Sequence, residues 1–276
     1  MTTMEPQYFF IIGAMKAGTT SLFKYLSGHP DLCPSSRKEP RVFRRAGEAT
    51  SLRAELSALF AARRDERWCY EASTAYTKFP RIPGVPRRLQ AVVPEARFIY
   101  LVRNPVERVW SQYVHDLWNG RETRPLTEAI AKRPQLLHTS RYHLQLEQYD
   151  VFPQDRILVL VFEEMIKDPA GTVRTICEFL GVDPAYRPST GDIAYNASSD
   201  KRTAPLAIRA TGNLGVAEML PWRVRYWLRS RGTPLPSKKD RLPPALRLEL
   251  VEALRPDTEA FFLRFGRRIS AWSDFA

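Results

Sequence analysis

The sequence contains few of the residues that build disulfides or metal centres. Its three cysteines, Cys33, Cys69 and Cys177, are widely spaced and odd in number, which indicates reduced thiols rather than a disulfide framework. The four histidines are scattered and show no metal-ligand spacing. We therefore predict a protein that holds neither a disulfide nor a metal ion.

Long apolar runs are also absent. No segment approaches the roughly 18 consecutive apolar residues that a membrane-spanning helix needs, and residues Met1–Gln7 lack the basic-then-apolar plan of a signal peptide. There is no internal repeat and no low-complexity tract. We expect a cytoplasmic protein without a membrane span.

The composition is that of a globular protein. Hydrophobic residues make up 44% and aromatic residues 11% of the 276 positions, and we predict a single domain over residues 1–276. The formal net charge of +12 favours an anionic partner. Nucleic acid is disfavoured, because the sequence has no zinc-finger, RNP-type or basic-zipper pattern. The oligomeric state stays open.

The most informative stretch begins at Phe9. The apolar run Phe9–Ile12 is too short for a helix and precedes two glycines around a lysine, two threonines, a serine and the helix-compatible segment Leu22–Leu26. This order predicts a buried strand, a tight loop and a helix N-terminus. Such a unit binds anions, because the first helical N–H groups, the lysine and the hydroxyls all donate hydrogen bonds. The candidate anion-binding residues are Lys16, Ala17, Gly18, Thr19, Thr20 and Ser21.

This loop differs from a Walker A nucleotide-binding loop. A Walker A sequence places its lysine directly after the second glycine, whereas Lys16 precedes Gly18. An ATP-binding loop is therefore disfavoured. Taken alone, the stretch is also compatible with an ordinary strand–turn–helix whose polar residues are incidental.

A second unit of the same kind follows further along the chain. The run Arg97–Val102 is dense in β-branched and aromatic residues, which predicts a strand, and it leads into Arg103 and into Pro105, which suits a first helical turn. Ser111 lies two helical turns into that helix. An arginine and a serine that converge in this way can bind a second phosphate, although Ser111 alone could equally be a tolerated polar residue.

Glu39 lies in a polar loop between the two units, beside Lys38 and near two arginines. A carboxylate among cations can act as a general base when it is partly desolvated. The alternative is a surface ion pair, which is the commoner situation for such a residue considered alone.

The remaining pattern alternates strands with helices, which predicts an α/β fold with a parallel sheet, helices on both faces and anion sites at the C-terminal ends of the strands. Further strands are predicted within Trp68–Tyr76 and at Arg156–Phe162, and helices within 51–67, within 121–150, from Asp168 to Gly181, and as a pair over Pro243–Phe265 that is broken near Pro256.

The two units resemble motifs of sulfotransferases that use 3′-phosphoadenosine 5′-phosphosulfate (PAPS). Gly-x-x-Lys-x-Gly-Thr-Thr-Ser after an apolar strand is similar to their 5′-phosphosulfate loop, and Arg103–Tyr113 is similar to their 3′-phosphate motif. The branch includes heparan sulfate enzymes and bacterial carbohydrate or natural-product enzymes. The resemblance covers roughly residues 8–202 and implies the three-layer α/β/α, P-loop-like sulfotransferase fold with a central parallel sheet.

The resemblance also implies residue roles. Glu39 would be the catalytic base, because Glu39 and Phe43 match a Glu-x-x-Phe-Phe or Glu-x-His-Phe-Phe segment in which Arg41 replaces the histidine. Lys201 and Arg202 would belong to a basic loop that closes the cofactor site, here without the usual glycine.

Three further positions are singled out by the resemblance. Ser140 and Tyr142 are placed where relatives border the cleft. Ala72 stands where many relatives have a lysine that assists the chemistry, so either Lys38 or an arginine compensates, or the acceptor needs less assistance.

The implied reaction is in-line sulfuryl transfer from PAPS to a hydroxyl of a sugar, a glycolipid or a secondary metabolite, without a metal. Lys16 would be catalytic beside Glu39, the loop residues would hold the 5′-phosphate, and Arg103 and Ser111 would hold the 3′-phosphate. Two alternatives stay open: an ATP-dependent nucleotide or small-molecule kinase, and a non-catalytic polyanion-binding protein on the same fold.

Overall fold

A parallel sheet lies at the centre of the protein, whose computed structural model describes residues 5–188, 221, 223–224, 236 and 242–276. Over these residues the sheet has five strands in the order β2-β3-β1-β4-β5, and every neighbouring pair is parallel. The strands are β1 (Gln7–Gly13), β2 (Leu32–Pro34), β3 (Trp68–Ala72), β4 (Arg97–Val102) and β5 (Ile157–Val161).

The central position of β1 follows from its sequence. Residues 9–13 are buried on both sides, as a parallel strand covered on both faces of the sheet requires. The sequence predicted β1, β3, β4 and β5, and it missed β2. That strand has only three residues and ends at Pro34, so it carries no periodic pattern.

Helices flank the sheet, which confirms the predicted α/β class. They are α1 (Thr19–Leu26), α2 (Ala49–Ala58), α3 (Val85–Val92), α4 (Pro105–Trp118), α5 (Leu126–Lys132), α6 (Gln135–His138), α7 (Tyr142–Glu147), α8 (Phe162–Lys167), α9 (Pro169–Leu180) and α10 (Pro244–Phe265). Short 3-10 turns occur at Val42–Arg44, Thr74–Thr77, Gln154–Arg156 and Ser273–Phe275.

Two helix boundaries form where the sequence predicted them. The Asp168 side chain caps α9 by accepting a hydrogen bond from the Gly171 amide, and the helix ends at Gly181, whose φ is 68°. Pro105 occupies the first position of α4, and the Asn104 side chain accepts hydrogen bonds from the next two amides. These caps are local, so the sequence is sufficient to predict them.

The predicted break near Pro256 is wrong. Helix α10 runs without interruption through Pro256 for 22 residues. It packs against α4 and α7 and buries Leu254 and Phe261, each with a relative exposure of 0%. This tertiary burial offsets the hydrogen bond that a proline removes from a helix interior.

Among the described residues, no helix is both long enough and apolar enough to span a bilayer.

Candidate active site

A cleft of about 1330 Å³ opens beside the C-terminal ends of β1, β3 and β4, where ligands bind in open α/β sheets. Its lining falls into two groups. The helix lining consists of residues from segments 15–20, 103–121 and 242–247 together with Phe162, and the loop lining consists of residues from segments 38–44 and 74–82. The predicted site residues that lie in the first group are Lys16, Gly18, Thr19, Thr20, Arg103 and Ser111, and Glu39 lies in the second.

The cleft is strongly positive. Nine lysines and arginines of the described chain line it, against two carboxylates, Glu39 and Glu107. The cations are Lys16, Lys38, Arg41, Arg44, Lys78, Arg81, Arg103, Arg121 and Arg247. A concave site with this balance concentrates anions.

The loop before α1 contains backbone conformations with positive φ, which favour glycine. Gly18 precedes α1 with φ at 90°, and a Cβ at this position would lie 2.7 Å from Cδ2 of Phe162, so glycine is required. Lys16 also has a positive φ of 72° and lines the cleft. The amides of Thr19 and Thr20 begin the helix, where N–H groups have no intrahelical acceptor and the helix dipole favours an anion.

The predicted residues of this loop separate into two sets. Lys16, Gly18, Thr19 and Thr20 line the cleft. Ala17 and Ser21 are buried, and their amides donate to the carbonyls of Ala14 at 3.1 Å and of Gly18 at 3.0 Å. These two residues therefore shape the loop, and a direct role in anion binding stays a prediction for them.

Arg103 leaves β4 in a position that several contacts define. The Tyr142 hydroxyl donates to its carbonyl oxygen at 2.6 Å, and its guanidinium donates to the carbonyl of Lys16 at 3.3 Å. The guanidinium carbon lies 5.1 Å from the centre of the Phe162 ring. Ser111, two turns into α4, lines the same cleft, so the two predicted phosphate-binding loops meet.

Ser140 and Tyr142 lie beneath the cleft rather than at its border. Both are buried. The Ser140 hydroxyl accepts a hydrogen bond from the guanidinium of Arg108, which is itself fully buried and also donates to the Met15 carbonyl at 3.4 Å. Burial lowers the pKa of Arg108 to about 10. This arginine joins α4 to the first loop.

Glu39 is held at the edge of β3. Its amide donates to the Ala72 carbonyl at 3.0 Å, and its carboxylate accepts from the amide of Thr74 at 3.2 Å and from the Thr74 hydroxyl at 3.0 Å. Lys38 and Arg41 lie 3.3 and 3.5 Å from the carboxylate oxygens. With its side chain 21% exposed, Glu39 faces the cleft as a fixed and partly desolvated carboxylate.

Five of the nine lining cations had no assigned role from the sequence, and Lys78 and Arg247 are two of them. Burial lowers the pKa of Lys78 to about 8. Arg247 of α10 pairs with Glu107 at 2.7 Å and with Asp274 at 2.7 Å, and these carboxylates raise its pKa. Lys78 is six residues from Ala72 and could have been found by searching for a lysine near that position. Nothing in the sequence around Arg247 indicates that it lines the cleft.

A second carboxyl group lies behind Glu39. Glu71 of β3 is fully buried, and its oxygens make no hydrogen bond within the described structure. Burial, with a smaller contribution from the charge of Glu39, raises its pKa to about 7. Its neutral form is therefore stabilised in the fold.

Two predicted site residues cannot be placed. Lys201 and Arg202 lie outside the described residues, so their position at the cleft stays a prediction. Among the residues that are described, no group of three or more histidine, cysteine, aspartate or glutamate side chains could hold a metal ion.

Comparison with known proteins identifies relatives of this chain. The sequence profile of the Sulfotransferase family matches residues 6–186. The human heparan sulfate glucosamine 3-O-sulfotransferase 6 is 28% identical over 267 residues, which cover 93% of this chain and 71% of that protein. The human bifunctional heparan sulfate N-deacetylase/N-sulfotransferase 2 is 24% identical over 197 residues, 64% of this chain and 22% of that protein.

A solved structure extends the likeness to the whole fold. The crystal structure of a sulfotransferase from Alicyclobacillus acidocaldarius superposes with a TM-score of 0.70 at 27% sequence identity, covering 98% of this chain and 99% of that one.

Proposed function

Because the chain belongs to the Sulfotransferase family, we propose that it transfers the sulfuryl group of PAPS to a hydroxyl of a carbohydrate. The observation that carries this proposal is the meeting of two anion-binding loops, at Lys16–Thr20 and Arg103–Ser111, in one positive cleft that Glu39 faces. The carbohydrate class follows the names of the relatives, which act on heparan sulfate.

The described residues fit a donor with two separated phosphate groups. The first turn of α1 and Lys16 suit the 5′-phosphosulfate, because they combine helix N–H groups with a point charge. Arg103 and Ser111 suit the 3′-phosphate, because a guanidinium and a hydroxyl donate to phosphate oxygens. ATP lacks a 3′-phosphate, so the second loop is what would distinguish PAPS from ATP.

Glu39 would act as the general base. Its carboxylate takes the proton of the acceptor hydroxyl as the hydroxyl oxygen forms a bond to sulfur. The bond from sulfur to the bridging oxygen breaks at the same time, and its electron pair stays on the 5′-phosphate of the product, 3′-phosphoadenosine 5′-phosphate (PAP). The hydrogen bonds from Thr74 hold the carboxylate in place for this step.

Lys16 would stabilise the charge that builds on the leaving phosphate. A cation that the loop already holds in place needs little reorganisation energy as the transition state forms. Such electrostatic groups often contribute the largest part of catalysis.

The same residues bear on the two alternatives, a kinase and a non-catalytic polyanion-binding protein. Membership of the Sulfotransferase family and the position of Lys16 before Gly18 disfavour a kinase. A non-catalytic polyanion-binding protein would share the positive cleft, and only turnover distinguishes it from an enzyme.

The proposal is tested by calorimetric titration with PAP, ADP and ATP. We expect PAP to bind more tightly than ADP, and Arg103→Ala to remove most of that preference. Arg121→Ala, which deletes another cation of the same lining, serves as the control and should weaken both nucleotides to a similar, small extent. Binding of ATP with no preference for the 3′-phosphate would contradict the proposal and favour a kinase.

Turnover is then measured with PAPS and an N-sulfated heparan oligosaccharide, by release of PAP and by mass spectrometry of the sugar. Sulfated sugar supports the full proposal. Tight PAP binding without turnover on any of a panel of sugar, glycolipid and phenolic hydroxyls would favour the non-catalytic alternative.

A further inference from the structure

Lys78 brings an ammonium group to the junction of the two linings. It follows the 3-10 turn Thr74–Thr77 in the loop lining, and its Nζ lies 3.4 Å from Sδ of Met15 in the helix lining. Its side chain is partly buried and lines the cleft. The reacting atoms of a donor seated on Lys16 and of an acceptor facing Glu39 would meet in this region.

The bonding of Lys78 in the described structure is weak. An ammonium has three N–H donors, and a thioether is a poor acceptor. Glu39, whose charge acts on Lys78, has Lys38 and Arg41 as its close ion-pair partners. A partly buried cation with such a partner set is stabilised when an anion enters the site.

The surrounding charges act on Lys78 in opposite directions. Burial lowers its pKa most, to about 8; Glu39 raises the pKa, and Arg41, Arg81 and Arg108 lower it. Lys16 and Lys38 add positive charge to the same cleft. The ammonium is therefore present at neutral pH but loses its proton as the pH rises through about 8.

We propose that the ammonium of Lys78 contacts the sulfuryl group of the bound donor, between Met15 and Glu39. This role rests on the proposed function. In it Lys78 neutralises the sulfuryl oxygens while Lys16 neutralises the leaving phosphate, so the two ends of the breaking bond have separate cations. The proton of the acceptor goes to Glu39 and not to Lys78, which stays charged throughout.

The proposal predicts that at alkaline pH Lys78 takes up a proton from the solvent when the donor binds. A bound anion favours the charged form of a neighbouring lysine. At pH 8.5 a lysine with a pKa of about 8 is mostly neutral, so donor binding should take up as much as about 0.7 proton per site. At pH 7 the uptake should be close to zero.

The test is calorimetric titration with PAPS at pH 8.5 in two buffers of different protonation enthalpy, which counts the protons taken up. The wild type should take up a proton fraction, and Lys78→Met should take up none. Lys24→Met, which removes a lysine in the last turn of α1, outside the cleft lining, is the control and should keep the uptake. Lys78→Arg should bind PAPS nearly as tightly as the wild type without uptake, because a guanidinium does not titrate at this pH.

The outcomes separate the two proposals. If wild-type protein binds PAPS with an uptake that persists in Lys78→Met, the Lys78 role is wrong and the proposed function stands. If the wild type binds no PAPS at pH 7, the proposed function fails and the Lys78 role fails with it. Binding of PAP by Lys78→Met at pH 7 verifies that this variant is folded.

Discussion

Asp274 accepts a hydrogen bond from the side-chain amide of Asn104 at 2.9 Å, although the two residues are 170 positions apart. Asn104 caps α4 and follows Arg103 directly. Asp274 also pairs with Arg247, which pairs in turn with Glu107 in the first turn of α4. The loop around Arg103 is therefore held by contacts with the 3-10 turn Ser273–Phe275 and with α10.

Arg247→Met should weaken PAP binding. Glu107 lies 4.0 Å from Arg103. Without the positive charge of Arg247, the carboxylate of Glu107 would repel a bound 3′-phosphate more strongly. We expect a loss of about tenfold in affinity for PAP, ~1.4 kcal/mol, and a smaller loss for ADP, which has no 3′-phosphate. Calorimetry with the two nucleotides measures the difference.

The double variant Glu107→Gln/Arg247→Met provides the control for this effect. Removing the carboxylate together with its partner should restore most of the PAP affinity, because the two groups act on each other. Equal losses for PAP and ADP in Arg247→Met would instead indicate a general loss of packing.

Glu39→Gln should lower kcat by about 10² to 10⁴ and leave PAP affinity nearly unchanged. Glutamine keeps the shape of the side chain and cannot take a proton. The measurement is PAP release from PAPS with the oligosaccharide acceptor, beside calorimetry with PAP. Full activity in this variant would exclude Glu39 as the base.

Lys16→Ala should lower kcat by about 10² or more, because it removes the cation nearest the leaving phosphate in the proposed reaction. Lys24→Ala is a matched control on the same helix, since Lys24 lies in the last turn of α1 and away from the cleft lining. Equal rates for the two variants would contradict the catalytic role of Lys16.

Glu71→Gln should stabilise the protein at alkaline pH. Burial raises the pKa of Glu71 from its ordinary 4.5 to about 7, so between these pH values the folded state keeps a proton that the unfolded chain has released. The contribution of Glu71 to the free energy of unfolding is therefore fully present below pH 4.5 and is lost as the pH rises through 7. The loss amounts to something on the order of 3 kcal/mol at pH 8.

Urea unfolding of wild type and Glu71→Gln at pH 5 and pH 8 checks this prediction. The variant should lose less stability than the wild type between the two values. Glu252→Gln, an exposed change on α10, should follow the wild type. A Glu71→Gln curve parallel to that of the wild type would show that the buried carboxyl group does not titrate in this range.

The sequence predicted the parts of the cleft that local order determines. The loop around Lys16 and the turn from Arg103 into α4 each lie within about a dozen residues of a buried strand, so strand, loop and helix start can be recognised together. Their meeting at one edge follows from parallel strands, whose C-terminal ends lie on the same side of the sheet.

Long-range partners could not be predicted in this way. Arg247 and Glu107 are 140 positions apart, and nothing in either neighbourhood indicates the other. The break predicted at Pro256 is wrong because the packing of α10 outweighs the tendency of proline to interrupt a helix. Ser140 and Tyr142 were expected at the border of the cleft and instead lie beneath it, where they contact Arg108 and Arg103.

The division between helix lining and loop lining has a consequence for how such a protein can diversify. The cations Arg41, Arg44 and Arg81 of the loop lining lie on segments separate from the loops around Lys16 and Arg103. Under the proposed function, changes in these segments would alter which hydroxyl compound is accepted while PAPS binding is retained. A chimaera that exchanges residues 40–45 with those of a relative should inherit a new acceptor preference and keep its affinity for PAP.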